Sequence, residues 1–492
     1  MMERYLLGID VGTTGTKTLL FSESGSLIAR AYRDYPLHTP QVGWREQHAE
    51  DWWQAVVDTV REVCATEEIA RHVAAISLST QGGTVVPTDK FGNPVRNAVV
   101  WSDNRCSEQR SAFAREAGGD AAMYHTTGWH LGSGLPAMSL LWMKEQEPQI
   151  FSEAAMFLTV PDYLSLKMTG IAAVDMSNAG INQLCDIRQN RYDKNILDYI
   201  GISEHQLPKL VHSGQLIGHL TAAAAAELGL STEVVLVAGA HDQYAVALGA
   251  GAIHHGDILI GSGTAWVVTA IADEPDFESN LSQSVAAVPG KWGSLRSLAS
   301  GGVCLDWLRK QVGTTEEMSY SIINETLPSR RAAEDGLFFF PFSGKAGPGR
   351  SFRKATFTGL DLSHDCYHMA KAVMEGVIFQ TMWMMEAFRT KPSEDGIILA
   401  GGASKSTVWS QLLADISGLP VRIPEVADLA CVGAAVMAGT GCGVFPDSET
   451  GCRRLAVNER RVLPHPDNTK MYAPLFASYK RQAEMLVKLY EE

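Results

Sequence analysis

Short apolar runs, each followed by glycine or polar residues, recur along the chain. The first spans Tyr5 to Asp10, and beyond a glycine-threonine loop the residues "TKTLLFS" are again apolar. Apolar runs of this length that end in turn residues predict buried strands. A further run, "LIARAYRDY", follows a "SESGS" turn. The pattern therefore predicts a β-meander at residues 5–35.

After this meander, the apolar residues recur with helical spacing. Acidic residues at Glu50 and Asp51 precede apolar positions that recur with helical period, which predicts a helix. Two more apolar runs follow, "VAAISLST" and "NAVVWSDNR", and each ends in polar residues. Ligands bind at the carboxyl edge of the sheet in open α/β folds, so these polar ends predict a binding edge.

A weak internal repeat predicts the domain organisation. The stretch "LLGIDVGTTGTKTLLFS" resembles "ILIGSGTAWVVTAI", which lies about half a chain later, as strand, glycine-threonine turn and strand. The simplest interpretation is two related halves, each giving one loop to a shared cleft. We place the boundary between residues 245 and 246, giving domains 1–245 and 246–492.

Composition and charge narrow the class of protein. The chain has 492 residues and a formal net charge of −14, which argues against nucleic-acid and anionic-membrane partners. Its 8 cysteines form no C-x-x-C pair, and no apolar run reaches the roughly 18 residues of a membrane-spanning helix. We expect a cytoplasmic protein without a secretory signal.

The first loop, "DVGTTGTK", is the first candidate phosphate site. It is not a Walker A loop, because two residues rather than four separate Gly12 from Gly15 and a strand follows. A hairpin here can still offer backbone N–H groups and the hydroxyls of Thr13 and Thr14 to phosphate, with Lys17 as a nearby charge. The alternative is a tight hairpin that merely needs glycine.

Asp10 ends the first strand beside this loop. Magnesium prefers one or two carboxylates together with phosphate oxygens and water. We therefore expect Asp10 to help hold Mg²⁺.

Two later loops add weaker signals. "GSGT" offers Gly263 and Thr264 as donors, and "LAGGASKS" places Gly402 at the expected start of a helix, where a nucleotide can approach closely. Each loop alone is equally compatible with a nucleotide site and with an ordinary turn. Together with the first loop they favour a clamp on a polyphosphate.

Asp242, in "AGAHDQYAVALG", follows an apolar strand. A carboxylate there can accept the proton of an attacking hydroxyl, which is the role that phosphoryl transfer to an alcohol leaves for a side chain. A helix N-cap is the alternative function of such an aspartate.

Gln81, Trp101 and Asp103 form a candidate sugar site. An aromatic face beside a carboxylate and an amide suits a polyol, whose C–H face stacks while its hydroxyls form hydrogen bonds. Core packing of Trp101 with a surface Asp103 is the alternative. The spacing of the histidines does not match a metal site. The sequence also lacks the G-x-S-x-G motif that would predict a hydrolase.

In combination these motifs resemble the FGGY family of carbohydrate kinases. The resemblance covers nearly the whole chain and rests on "DVGTTGTK", "WSDNR", "GAHDQ", "GSGT", "SGGVCLDWL", "FFPFSGKAGPGR" and "LAGGASKSTVWSQLLADISGLPV". It implies an α/β, two-domain actin-like ATPase fold with ribonuclease H-like domains and a nucleotide and sugar cleft between them. It also implies ATP and Mg²⁺ as cofactors.

The resemblance assigns roles to individual residues. Asp242 would be the catalytic base and Asp10 would hold the metal. The implied ATP-binding residues are Thr13, Thr14, Lys17, Gly263, Thr264, Gly302, Gly402 and Ser406. The implied substrate-binding residues are Gln81, Gly82, Trp101, Asp103, Asp242 and Gln243.

The middle segment, from "PDYLSLKMTG" to "DYIGI", is most similar to xylulose kinases. This implies ATP-dependent phosphorylation of D-xylulose to xylulose 5-phosphate. Where xylulose kinases usually have Q-M-H-G and glycerol kinases Q-R-E-T, this chain has "QGGT" at residues 81–84. Kinases of ribulose, gluconate, erythritol or glycerol therefore stay open.

Two functions of other classes also stay open from the sequence. They are an actin- or Hsp70-like ATPase and a sugar sensor without catalysis. The small-molecule partners expected are the sugar and ATP, and the chain is compatible with a homodimer.

Overall fold

The structure is a computed structural model. It describes residues 3–116, 118–312, 316, 318–342, 344–345, 351–352, 354–426, 428–455 and 458–490. Residues 343 and 346–350 of the "FFPFSGKAGPGR" motif lie outside the described residues. The chain divides into two compact units. The first comprises Met1–Ile253, Ala272–Ser294 and Val426–Val457, and the second comprises His254–Ile271, Leu295–Glu425 and Asn458–Glu492.

Strands and helices alternate along the described residues. The strands are β1 (Tyr5–Val11), β2 (Gly15–Ser22), β3 (Leu27–Asp34), β4 (Glu46–Gln47), β5 (Val73–Thr80), β6 (Val85–Thr88), β7 (Ala98–Val99), β8 (Met156–Thr159), β9 (Ala173–Asp175), β10 (Cys185–Asp186), β11 (Arg191–Tyr192), β12 (Lys209–Val211), β13 (Leu216–His219), β14 (Val235–His241), β15 (Ile258–Ser262), β16 (Trp266–Ala272), β17 (Ser282–Val285), β18 (Trp292–Leu298), β19 (Phe338–Phe340), β20 (Gly344–Lys345), β21 (Ser351–Phe352), β22 (Thr356–Thr358), β23 (Ile397–Gly401), β24 (Val421–Pro424) and β25 (Glu459–Val462).

The helices are α1 (Ala49–Val63), α2 (Glu67–His72), α3 (Ser107–Glu116), α4 (Gly119–Thr127), α5 (Pro136–Gln146), α6 (Pro148–Glu153), α7 (Val160–Thr169), α8 (Met176–Ile181), α9 (Lys194–Ile200), α10 (Ala222–Leu228), α11 (Asp242–Gly249), α12 (Val303–Gln311), α13 (Tyr320–Thr326), α14 (Cys366–Met385), α15 (Thr407–Ser417), α16 (Leu429–Gly441), α17 (Ser448–Leu455) and α18 (Pro466–Tyr490).

The main sheet of the first unit has the strand order β13-β14-β5-β1-β2-β3. The three central strands β14, β5 and β1 are parallel, whereas β2 returns antiparallel to β1. Val11 is paired with Thr80, and Thr80 with His241, so the three parallel strands end at the same level. The residues after each strand therefore share one edge of the sheet.

Apolar residues cover both faces of this sheet. Along β1, Leu7 and Ile9 belong to one core cluster with Trp52 of α1. The small buried residues of α16 allow this helix to approach β1 closely. The contact is so close that a Cβ at Gly8 would overlap the carbonyl oxygen of Cys431. Glycine at position 8 thus permits backbone-to-backbone contact between strand and helix.

The sheet of the second unit includes strands in the order β18-β16-β15-β23-β24-β25. Here β15 and β16 form the antiparallel hairpin, β23 and β24 are parallel to β15, and β25 is antiparallel. This repeats the order of the first unit, in which β1 and β2 form the hairpin and β13 is the antiparallel edge. The repeat predicted from the two glycine-threonine loops thus has a counterpart in strand order.

The domain boundary between residues 245 and 246 stays a prediction. In the part of the chain that the structure describes, no helix has the length and apolarity needed to cross a membrane.

Candidate active site

The first hairpin loop, Gly12–Thr14, is held by side chains from outside the hairpin. The Tyr35 hydroxyl donates to the carbonyl oxygen of Gly12 at 2.6 Å, and Gln47 Nε2 donates to the carbonyl oxygen of Thr13 at 2.7 Å. Within the loop, the N–H of Gly12 donates to Gly15 at 3.0 Å. The loop is therefore fixed before any ligand arrives.

Gln81 extends this support from the end of β5. The side chain is buried, and its Oε1 accepts from the hydroxyls of Thr13 at 3.1 Å and Thr84 at 3.2 Å. Its Nε2 donates to Gln47 Oε1 at 3.0 Å. The structure thus places Gln81 against the loop, with its amide engaged inside the protein.

Trp101 also reaches the loop, since its indole Nε1 donates to Thr13 Oγ1 at 3.0 Å. Its side chain is half-exposed, as an aromatic surface that stacks on a sugar must be. The Thr13 hydroxyl donates to Gln81 and accepts from Trp101, so both of its hydrogen-bonding functions are used. Thr14 is exposed at the tip of the loop.

Asp10 lies at the end of β1, with its Oδ1 accepting from the Ser79 hydroxyl at 2.8 Å. Burial raises the pKa of its carboxyl to about 6, although the bond from Ser79 acts in the opposite direction. The neighbouring carboxylates of Asp242 and Asp428 raise the pKa further, whereas Lys17 lowers it. Asp10 is therefore near carboxylates that a cation would stabilise.

Lys17 forms an ion pair with Asp428, with Nζ and Oδ1 2.8 Å apart. Asp428 precedes α16 and has a left-handed backbone with φ of +61°. Sequence reasoning missed Asp428, because no local motif connects two residues that are 411 positions apart. The lysine predicted to meet phosphate is thus balanced by a carboxylate of the same unit.

Asp242 is the first residue of α11, and the preceding residue His241 makes no side-chain cap. The N-cap alternative therefore does not describe its place. Its Oδ1 is buried and has no hydrogen-bond partner among the described residues, while 35% of the side chain is exposed. Gln243 follows in the first turn. A partly exposed carboxylate at the edge of the sheet is suitably placed to accept a proton.

The fit of a magnesium ion follows from these carboxylates. Asp10 and Asp242 interact electrostatically, and one buried oxygen of Asp242 lacks a partner. Among the described residues, no group of three or more His, Cys, Asp or Glu side chains could enclose a metal. Two carboxylates without a protein cage match the preference of Mg²⁺, which keeps water and substrate phosphate in its shell.

Asp103 is placed differently from its neighbours in the sugar-site prediction. It is buried, and its carboxylate accepts from the N–H of Arg45 and from the guanidinium of Arg105. Arg105 is also paired with Glu46 at 2.9 Å. The carboxylate of Asp103 is thus engaged within a buried ion-pair network rather than with the loop.

In the second unit, a cavity of about 480 Å³ opens beside the second hairpin loop. Its size falls within the usual range of small-molecule sites. Five residues predicted to bind ATP line this one cavity: Gly263, Thr264, Gly302, Gly402 and Ser406. The other lining residues are Ser262, Trp266, Leu305, Asp306, Tyr320, Asn324, Ala403, Lys405 and Trp409.

Close backbone packing shapes the wall of this cavity. The N–H of Gly402 donates to the carbonyl oxygen of Ser262 at 2.7 Å, across the ends of β15 and β23. Gly401 has φ of +90°, a conformation that favours glycine. A Cβ at Gly302 would lie 2.6 Å from the carbonyl oxygen of Gly263. Glycine is therefore required where the two segments meet.

Polar groups on the cavity wall come from α13 and from the residue that caps α15. Ser406 caps α15 by accepting from the N–H of Trp409, and its hydroxyl donates to Asn324 Oδ1 at 2.5 Å. Gly402 caps a 3₁₀ turn over Ala403–Lys405, and α15 begins after this turn with Ser406 as its N-cap.

Sequence reasoning also missed Asn324, Tyr320 and Lys405. The Tyr320 hydroxyl donates to Asp306 Oδ1 at 2.5 Å, and the Arg309 guanidinium stacks on its ring at 3.9 Å. An isolated asparagine or tyrosine on a short helix carries no sequence signal of binding. These residues line the cavity only when α13 is packed in the folded protein.

Comparison with known proteins gives a consistent result. The protein-family model described as "FGGY family of carbohydrate kinases, N-terminal domain" matches residues 5–249. The family model of the C-terminal domain matches residues 258–442. Xylulose kinase of Bacillus subtilis is 29% identical over 97% of this chain and 96% of its own length. Gluconokinase of the same organism is 27% identical over 100% of this chain and 98% of its own length.

A solved structure shows the same overall architecture. That of xylulose kinase from Rhodospirillum rubrum has a TM-score of 0.91 at 26% identity, covering 99% of this chain and 100% of that one. The expected two-domain, actin-like α/β fold is confirmed.

Proposed function

Because the chain belongs to the FGGY family of carbohydrate kinases, we propose that it transfers the γ-phosphoryl group of ATP to a terminal hydroxyl of a small linear sugar, D-xylulose. The product is xylulose 5-phosphate. Membership makes the chain a carbohydrate kinase, and kinases of this family use ATP. The choice of sugar is supported by the names of relatives and by charge.

The observation that carries the reaction is the position of Asp242. Its partly exposed carboxylate follows β14, at the edge where the Gly12–Thr14 loop follows β1 and Gln81 follows β5. In the proposed reaction this carboxylate accepts the proton of the acceptor hydroxyl as the oxygen attacks phosphorus in line. The exposed face of Trp101 packs against the carbon chain of the sugar.

Charge favours a neutral acceptor over an aldonate. The edge carries the carboxylates of Asp10 and Asp242, and one Mg²⁺ at this place would offset their charge without leaving an excess of positive charge for an anionic acceptor. Its neighbouring cations are already paired, Lys17 with Asp428 and Arg105 with Asp103 and Glu46. Among the described residues, these two cations are therefore not free to pair with a carboxylate on the acceptor, so a ketose fits better than gluconate.

The metal and nucleotide involve different residues. Asp10, with Asp242 beside it, would hold Mg²⁺, which when bound neutralises charge on the transferred phosphoryl group. In the second unit, Ser406, Asn324 and the Trp266–Trp409 pair suit adenosine, and the ammonium group of Lys405 suits phosphates.

Phosphorylation of a panel of acceptors tests the proposal. Purified protein with MgATP is offered D-xylulose, L-xylulose, ribulose, gluconate, erythritol and glycerol, and ADP and sugar phosphate are both measured. We expect the highest kcat/KM for D-xylulose, with the phosphate on its terminal oxygen. A preference for gluconate contradicts the charge argument, and ATP turnover indifferent to every acceptor contradicts a sugar kinase.

The metal requirement has a separate test. After removal of divalent cations by EDTA, we expect phosphorylation to fall to background and to return with added Mg²⁺. Undiminished turnover in EDTA would contradict the assignment of Asp10.

A further inference from the structure

His241 is an enclosed histidine directly before the proposed base. It is 6% exposed and ends β14. Its N–H donates to Ser177 Oγ at 2.8 Å, and the Ser177 hydroxyl donates to Asp175 Oδ1 at 2.5 Å. The ring meets Trp129 edge-on, with 6.2 Å between centroids. The backbone and the imidazole are therefore both held by neighbours.

The imidazole occupies the place that a side chain at position 82 would take. A Cβ on Gly82 would lie 2.5 Å from Cδ2 and 2.9 Å from Nε2 of His241, and 3.0 Å from Cγ2 of Ile181. A Cβ closer than 3.0 Å to a held ring forces the ring to move. Positions 82 and 241 thus share one volume, which only one of them can fill.

This ring also borders Asp242. Nε2 of His241 and Oδ1 of Asp242 lie 3.3 Å apart, without hydrogen-bond geometry. Nδ1 of His241 and Oδ1 of Asp242 are both buried and have no hydrogen-bond partner among the described residues. Buried polar atoms without partners are costly, and a catalytic role is one explanation for their presence. The exposed part of the Asp242 side chain consequently belongs to atoms other than Oδ1.

We propose that His241 is a specificity-determining residue that positions Asp242. Its imidazole fills the volume beside residue 82 and forms the wall against which Oδ1 of Asp242 rests, which turns the rest of the carboxylate toward the acceptor. Acceptor selection then depends on the pair Gly82–His241 rather than on a side chain at position 82. The inference rests on the proposed function, because it concerns the acceptor of that reaction.

A double-mutant cycle tests the shared volume. Gly82→Ala, His241→Ala and the double variant are compared with wild type by kcat and KM for each acceptor and by Tm. We expect each single change to lower kcat/KM for the best acceptor by about tenfold or more. In the His241→Ala background no ring opposes the new methyl group, so Gly82→Ala should then cost much less.

Acceptor ranking separates specificity from a merely structural role. We expect His241→Ala to change the ratio of kcat/KM between two acceptors by about tenfold and to leave KM for ATP unchanged. His241→Asn should partly restore the wild-type ratio. His219→Ala, at an exposed histidine on β13, is the matched control and should leave the ratio unaltered. A uniform loss that follows Tm, or additive losses in the cycle, would overturn the inference.

The two proposals fail in different ways. If wild-type protein phosphorylates no member of the panel, the proposed function fails. If wild-type protein is active but the cycle is additive and the ranking constant, only the role of His241 fails.

Discussion

The two hairpin loops occupy corresponding places in the two units but are built differently. The loop at Gly12–Thr14 is held by side chains, with Tyr35 and Gln47 donating to its carbonyl oxygens. The loop after β15 is held by backbone bonds, because the N–H groups of Gly301 and Gly302 donate to Thr264 and Gly263 at 3.1 Å each.

The two kinds of support determine which substitutions weaken each loop. A loop supported by side-chain amides is weakened when those side chains are shortened. A loop supported by close backbone packing tolerates truncation nearby but not an added Cβ. The carboxylates also differ, since Asp10 and Asp242 both belong to the first unit.

The largest effect should come from Asp242→Asn, which removes the proton acceptor without removing bulk. We expect kcat to fall by about 10²–10⁴-fold, while nucleotide still raises Tm. The matched control is Asp198→Asn on α9, where the side chain is 61% exposed. Turnover close to wild type would exclude Asp242 as the base and would remove the asymmetry between the units.

Asp10→Asn should change the pH dependence of stability. Burial raises the pKa of Asp10 from 3.8 to about 6, so the folded state binds more protons than the unfolded state between these values. The stability that protonated Asp10 contributes is therefore present below pH ~4 and lost as pH rises through ~6. Since asparagine stays neutral, the variant should gain up to about 3 kcal/mol at pH ~7.5.

Urea unfolding of wild type and Asp10→Asn at pH ~4.5 and ~7.5 measures this difference. The variant should also lose phosphorylation, although it is the more stable protein. An equal change in both proteins between the two pH values would show that Asp10 is not the group responsible.

Gln47→Ala should weaken the first loop. It removes the side-chain donor to the carbonyl oxygen of Thr13, one of the two acceptors of Gln81 Nε2, and the acceptor of the Trp52 indole. We expect the free energy of unfolding to fall by about 1–3 kcal/mol, with a lower kcat. Gln54→Ala, at an exposed glutamine of the neighbouring helix α1, serves as the control. Unchanged stability would mean that side chains do not support the loop.

Gly302→Ala should disturb the second loop, because its Cβ would lie 2.6 Å from the Gly263 carbonyl oxygen. We expect KM for ATP to rise about tenfold with little change in KM for the sugar. Gly261→Ala is the matched control, since its Cβ would meet nothing closer than 3.8 Å. Equal effects of the two substitutions would refute the distinction between the loops.

Local patterns explain how much of this arrangement the sequence could predict. The strand over residues 73–80 is confirmed to the residue as β5, because an apolar run with a polar end is a local signal. The gathering of Gly12, Gln81 and Asp242 at one edge follows from parallel strands. The family resemblance is likewise confirmed.

Packing between distant segments explains what could not be predicted. Nothing in "WSDNR" shows that Arg105 encloses the carboxylate of Asp103. Nothing near Gly82 shows that the ring of His241 lies against it. These relations arise when the strands and helices have docked, and a single sequence contains no record of such pairs. The roles of the individual site residues stay proposals.

The helix α16 has a consequence for how the protein is made. The first unit contains the hairpin of β1 and β2, yet the helix that covers this sheet through Gly8 is translated only after most of the second unit. Until residue 441 has left the ribosome, one apolar face of the early sheet has no cover. A nascent chain stopped short of α16 should therefore be recognised by chaperones or aggregate, however complete its phosphate loops are.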